Sequence, residues 1–130
     1  MSSINSTILV LGRTPALSQI LDPLRGGEFT TLYAGSTAEA LSVISLRPIA
    51  AVIVDVGSPR SVAALQFLEA FRFRNAHHYT PVALLNRAGS MTQADVAIAR
   101  RHRARVIRYV AELTFWLEEV TAQYPSAIAS

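Results

Sequence analysis

The sequence predicts an α/β domain of five parallel strands alternating with five helices, folded as a three-layer sandwich around one sheet. Three observations carry this. Five short apolar runs recur at intervals of about 20 to 30 residues. Helical patterns with their own start and stop signals lie between them. Three of the runs are apolar almost throughout, without in–out alternation, as strands buried on both faces are.

The first run is "TILVL", Thr7 to Leu11. A helix is expected next, capped by Thr14 with Pro15 at its first position, disturbed at Asp22-Pro23 and closed by Gly26-Gly27. The second run is "FTTLY", Phe29 to Tyr33, whose mixed character suits an edge. Ser36 followed by Glu39 then reads as a capping box. The helix it opens has Ala40, Leu41, Ile44 and Leu46 as its apolar face and Pro48 as its stop.

The third run is "AAVIV", Ala50 to Val54, ending on Asp55. It precedes "SVAALQFLEAFRFR", with Val62, Leu65, Leu68 and Phe71 on one face. Phe71 and Phe73, two residues apart, cannot share a helix face, so Phe73 is expected at the surface. The fourth run is "PVALL", Pro81 to Leu85, followed by "TQADVAIARRHRAR" with Val96 and Ile98 inward and a basic end. The fifth, "RVIRYV", Arg105 to Val110, is again mixed. It leads into "ELTFWLEEVTAQY", which buries Leu113, Trp116, Leu117 and Val120 and stops at Pro125. The whole reads as a single domain over 1–130, with its core at about 7–123 and a disordered tail over 124–130.

Composition narrows the chemistry. Hydrophobic residues make up 51% and charged residues 16%, which excludes a disordered or fibrous chain. No apolar run reaches the roughly 18 residues of a membrane helix. "MSSINST" lacks the basic and apolar regions of a signal peptide, and there are no cysteines; a cytoplasmic location fits both. All 12 basic residues are Arg, so no lysine nucleophile exists, and a guanidinium meets a phosphate as a planar fork rather than a point charge. His77, His78 and His102 do not have the spacing of a metal site, and neither "LYAGS" nor "RGG" has that of a phosphate loop.

In a doubly wound sheet of order 2-1-3-4-5, strands 1 and 3 flank the switch point where ligands bind at the carboxyl ends of the strands. Asp55 and the segment Gly12-Arg13-Thr14 would face each other there.

The local signatures resemble a response-regulator receiver domain, the CheY-like family, over Thr7 to about Gln123. "RPIAAVIVDVGSP" is similar to the family's third-strand motif, "GSTAEAL" to its second-helix start and "TPVALL" to its fourth strand. The resemblance implies a flavodoxin-like fold, puts Asp55 on the phospho-accepting position and Pro59 on the loop proline. It departs from the family elsewhere. Gly12 and Arg13, with Thr14 next, stand where two acidic residues are usual. Asn86, with Arg87 beside it, stands at the Ser/Thr position, and Arg108 and Tyr109 stand where Lys and Pro are usual.

These departures bear on phosphorylation. Transfer to a carboxylate needs neutralised equatorial oxygens, which Mg²⁺ supplies through oxygen ligands. Two cations 4 Å apart repel by roughly 4 kcal/mol at an effective dielectric near 20. Arg13 therefore disfavours Mg²⁺, and no cofactor or metal is expected. Asp55 is expected to pair with Arg13 or Arg108, as the remnant of a phosphorylation site; a structural carboxylate capping its loop is the plainer alternative.

Residues 87–108 hold six Arg and one Asp, a net +5, leaving −2 elsewhere for a total of +3. Arg100, Arg101, Arg103 and Arg105 are the candidate partner-binding face, with solvated helix-end cations as the plainer alternative. The expected function is a non-enzymatic, receiver-like module of a two-component pathway, with a degenerate phosphorylation site, acting through protein–protein contact. The partner is a signalling protein or kinase, or a second copy docked through the fourth helix, fifth strand and fifth helix. Neither nucleic acid nor membrane is expected, because no aromatics are interleaved with the arginines and no spanning run exists. Two alternatives remain. One is an active receiver phosphorylated on Asp55 by a histidine kinase, with Arg108 and Asn86 in the Lys and Ser/Thr roles. The other is a small-ligand or nucleic-acid binding module using the crevice or the Arg-rich face.

Overall fold

The computed structural model describes residues 6–12, 29–56, 61–74, 79–87 and 89–123. The five strands are β1 (Ser6–Leu11), β2 (Phe29–Ala34), β3 (Ala51–Asp55), β4 (Val82–Leu85) and β5 (Ala104–Ile107). The four described helices are α1 (Thr37–Leu46), α2 (Ser61–Arg72), α3 (Gln93–Arg101) and α4 (Val110–Gln123). The strands form one sheet in the order β2-β1-β3-β4-β5, every pair parallel. The helix expected over 14–26 and the tail over 124–130 lie outside the described residues.

The sheet is covered on both faces. Leu9, Leu11, Val52, Val54, Val82 and Leu84 meet α1, α2 and α3 through Ala40, Ile44, Ala64, Phe67, Leu68, Phe71 and Ala99. Ile8, Val10, Ala51, Ile53, Ala83, Leu85 and Ile107 turn the other way, onto Leu113, Trp116, Leu117 and Val120 of α4. Two faces with opposite partners explain why the central strands carry no polar alternation. Each residue is apolar because each is inside. The mixed runs are the edges, β2 and β5.

Element ends follow local chemistry. Ser36 caps α1 by accepting from the Glu39 N–H at 3.2 Å, while the Glu39 carboxylate reaches Gly35 N–H at 3.2 Å, one residue before the cap. Arg47, forced extended by Pro48, closes α1. Leu46 is 82% exposed, against expectation: six residues from Ala40 is 600°, which puts it across the helix. Thr92 and Asp95 form a full capping box on α3. Val96 and Ile98 are only half-buried, and Ala99 fills the inward position. The fifth strand stops at Ile107 rather than Val110, because α4 already begins at Val110. Phe67 and Phe71 stack with ring centroids 5.7 Å apart, and Phe73 is 80% exposed, as the two-residue spacing predicts.

One buried group was not singled out by the sequence. Arg72, 8% exposed, donates from Nε to the His102 carbonyl and from Nη1 to the Thr80 carbonyl, both at 2.7 Å, and from Nη2 to Arg103 at 3.3 Å. It joins the end of α2 to the segment before β4 and to the end of α3. The His102 and Arg103 carbonyls follow the end of α3, where a helix leaves carbonyls without intrahelical partners, and the Thr80 carbonyl lies just before β4. Among the described residues, no helix is long and apolar enough to cross a membrane. Arg72→Met should cost about 3 kcal/mol in urea unfolding, and Arg72→Lys should recover less than half, because an ammonium cannot span three carbonyls as a fork does.

Candidate functional site

The carboxyl ends of β1, β3, β4 and β5 bring most of the predicted residues together. Leu11 pairs with Val54, so Gly12 is the next step along from β1 beside Asp55. Asp55 is itself the last residue of β3, in register with Leu85 of β4. Asn86 continues β4 and donates its N–H to the Ile107 carbonyl at 2.7 Å, which places Arg108 beside it. Gly12 N–H donates to the Ala34 carbonyl at 2.9 Å and Val56 N–H to Leu85 at 2.9 Å, so strand-like bonding persists past the strand ends. Arg13 and Thr14 lie outside the described residues, as do His77, His78 and Pro59.

Asp55 is the centre of this group, its side chain only 7% exposed. Its described cation is Arg87, not Arg108. Arg87 Nη2 lies 3.2 Å from Oδ2 and 3.5 Å from Oδ1, and Nε lies 3.4 Å from Oδ1, so both carboxylate oxygens face one guanidinium. The expectation of Arg108 fails because its guanidinium is turned to the next turn. Nη2 lies 3.3 Å from where a Cβ on Gly89 would stand. Gly89 is also at φ +67, a conformation glycine adopts without strain, so close approach and backbone geometry ask for the same residue.

Asn86 is buried at 8% and works within this turn. Its Oδ1 accepts from Met91 N–H at 3.4 Å and its carbonyl accepts from Gly89 N–H at 3.2 Å. The side chain holds the loop from β4 to α3. Ser90, which the sequence did not single out, has a buried Oγ without a partner among the described residues. Tyr109 is 64% exposed and its carbonyl accepts from Glu112 N–H at 3.0 Å, starting α4.

The arginines of the candidate partner face are divided. Arg100 and Arg101 sit on the last turn of α3, Arg105 on the edge strand, and all are exposed. Arg100 also borders a shallow groove of about 450 Å³ along α3, lined by Met91, Thr92, Gln93, Val96 and Ala97. Arg103 stands apart. It takes φ +62 at the end of α3 and lays its guanidinium over Tyr79, 4.7 Å from the ring centroid. The sequence found no aromatic interleaved with the arginines; folding brings one in from 24 residues away (103 − 79).

No family model and no curated protein matches this chain. Solved structures do. A Vibrio cholerae chemotaxis protein, CheY4, superposes with a TM-score of 0.73 at 17% identity, over 89% of this chain and 98% of that one. A signal receiver domain of a histidine kinase from Clostridium thermocellum gives 0.71 at 18% identity, over 88% and 96%. The receiver domain of the Francisella response regulator 1452 gives 0.71 at 20% identity, over 92% and 98%. The fold is that of CheY-like receiver domains.

The pair at the strand ends has a measurable consequence. Arg87→Met leaves a mostly buried carboxylate without this guanidinium and should cost about 1–2 kcal/mol in urea unfolding at neutral pH, reduced from a fully buried pair by the exposure of Arg87. Asp55→Asn combined with Arg87→Met should cost less than the two single changes summed, since each single change strands the other partner.

Proposed function

We propose that the chain is a receiver-like signalling module of a two-component type of pathway, not an enzyme, whose phosphorylation site is held shut. The observation that carries this reading is the guanidinium of Arg87 across both oxygens of Asp55. A carboxylate that attacks a phosphoryl group must present a free oxygen in line with the leaving group. An oxygen already committed to a guanidinium is a poorer nucleophile, and the fork also holds it in one direction.

The described residues at this site do not fit Mg²⁺. That ion takes near-octahedral oxygen ligands and keeps them only where negative charge offsets its own. Among the described residues, no group of three His, Cys, Asp or Glu side chains could hold a metal, and Asp55 already faces a cation. A divalent ion placed near Arg87 would be repelled by roughly 8 kcal/mol at 4 Å and an effective dielectric near 20. The guanidinium thus stands in for positive charge without supplying a ligand position.

A module of this kind works by binding. Its partners are a signalling protein or a kinase, or a second copy through α3, β5 and α4, where Arg100, Arg101, Arg105, Tyr109 and Phe115 are exposed. A cytoplasmic location fits that role.

Intact mass after incubation with acetyl phosphate tests the reading, with and without Mg²⁺, on the wild-type chain and on Asp55→Asn. No phospho-adduct is expected in any arm. A Mg²⁺-dependent adduct that Asp55→Asn loses would replace this reading with that of a working switch, in which Arg87 swings off the carboxylate.

A further inference from the structure

At the amino-terminal ends of the strands, opposite Asp55, the three helices of one layer finish side by side. Each finish presents a protruding apolar side chain with a guanidinium next to it. α1 ends on Leu46, 82% exposed, followed by exposed Arg47. α2 is followed by Phe73, 80% exposed, and Arg74. Beside the end of α3 stands Tyr79, 74% exposed, under the guanidinium of Arg103.

Hydrogen bonds join these three units into one strip. Arg74 Nη1 donates to Ser45 Oγ at 3.1 Å, which ties the end of α2 to α1. Arg72 ties α2 to Thr80 and to His102, the neighbours of Tyr79 and Arg103. Neighbouring helices pack about 8–10 Å apart, so the strip runs roughly 20 Å. The carboxylate nearest to it on these helix ends is Glu69, about one turn back on α2. The exposed acids Glu112, Glu118 and Glu119 belong to α4, in the opposite layer.

The chemistry of the strip selects its occupant. The three side chains are 74–82% exposed and stand out from the surface, a shape suited to entering a soft phase rather than to gripping a peptide between walls. A single-stranded nucleic acid wants open ring faces, but Leu46 has none and Tyr79 already carries Arg103 on one side. A lipid surface wants this pattern. Apolar tips enter below the headgroups while adjacent guanidiniums stay at the level of the phosphates. The cations then favour an anionic leaflet. The absence of a long apolar run in the sequence bears on spanning a bilayer, not on resting against one.

We infer that the strip formed by Leu46–Arg47, Phe73–Arg74 and Tyr79–Arg103 docks this domain peripherally on an anionic lipid surface. The inference is independent of whether Asp55 accepts a phosphoryl group, because the two sites lie at opposite ends of the strands.

Vesicle flotation tests it. The probes are phosphatidylcholine vesicles and vesicles in which about 30% is replaced by phosphatidylglycerol, the added charge being what the cations should read. The wild-type chain should float with the anionic vesicles and not with the neutral ones. Leu46→Ser with Phe73→Ser, and separately Arg47→Gln with Arg74→Gln, should each lower the bound fraction about tenfold while leaving the melting temperature within a few degrees. Binding by the wild type should also fall in high salt. Three results would overturn the inference: no flotation of the wild type with anionic vesicles, flotation that both double variants retain, or stronger binding to a single-stranded oligonucleotide that the same variants lose. The last would assign the strip to nucleic acid instead.

Discussion

Burial of β1, β3 and β4 on both faces constrains everything else in this molecule. A strand with helices above and below has no direction in which a charge can reach water. Its backbone groups bond sideways to the neighbouring strands, and its side chains bond to nothing but each other. Charges are therefore pushed to the two ends of the sheet. The amino end holds Arg72, and the carboxyl end holds Asp55 with Arg87. Both ends are polar for the same reason, but they do different work. Arg72 answers three backbone carbonyls that chain geometry creates. Asp55 has no such obligation: Val56 N–H already has its carbonyl on Leu85.

A carboxylate at that place needs a counter-charge, and the chain supplies it from the neighbouring strand. Arg87 follows two residues after Leu85, the residue in register with Asp55, so its long stem can fold back over the strand end. A guanidinium and a divalent metal offer similar charge compensation but differ in what they permit. The metal offers coordination positions that a phosphoryl oxygen can occupy as a ligand; the guanidinium offers only N–H donors and is fixed by covalent attachment. Arg108, freed from the carboxylate, packs against Gly89 and helps fix the loop from β4 to α3, which Asn86 closes from inside.

The amino end shows the converse logic. Because Phe71 must face the sheet, Phe73 at 200° from it cannot, and the turn that follows leaves the ring in water. Leu46 is outside by the same helical arithmetic. Two large apolar side chains left out by geometry at adjacent helix ends, each with an arginine as its sequence neighbour, are a surface with a character of its own.

Sequence alone determined the α/β class, the order of the described elements, which strands are edges, and the inward face of α4. These depend on periodicity and on local caps, which a residue carries wherever it is placed. It also marked Asp55, since a lone carboxylate ending an apolar run is visible without a fold. It misplaced Leu46 and ran the fifth strand three residues too far, where the pattern of "RVIRYV" suits a strand as well as a helix start. Only the tertiary structure decided that Arg87 rather than Arg108 holds Asp55, that Arg72 binds three carbonyls, and that Tyr79 meets Arg103. Each of these depends on strand register and on which helix ends lie side by side. Those relations are set by how the whole core packs, and no stretch of sequence short enough to read contains them.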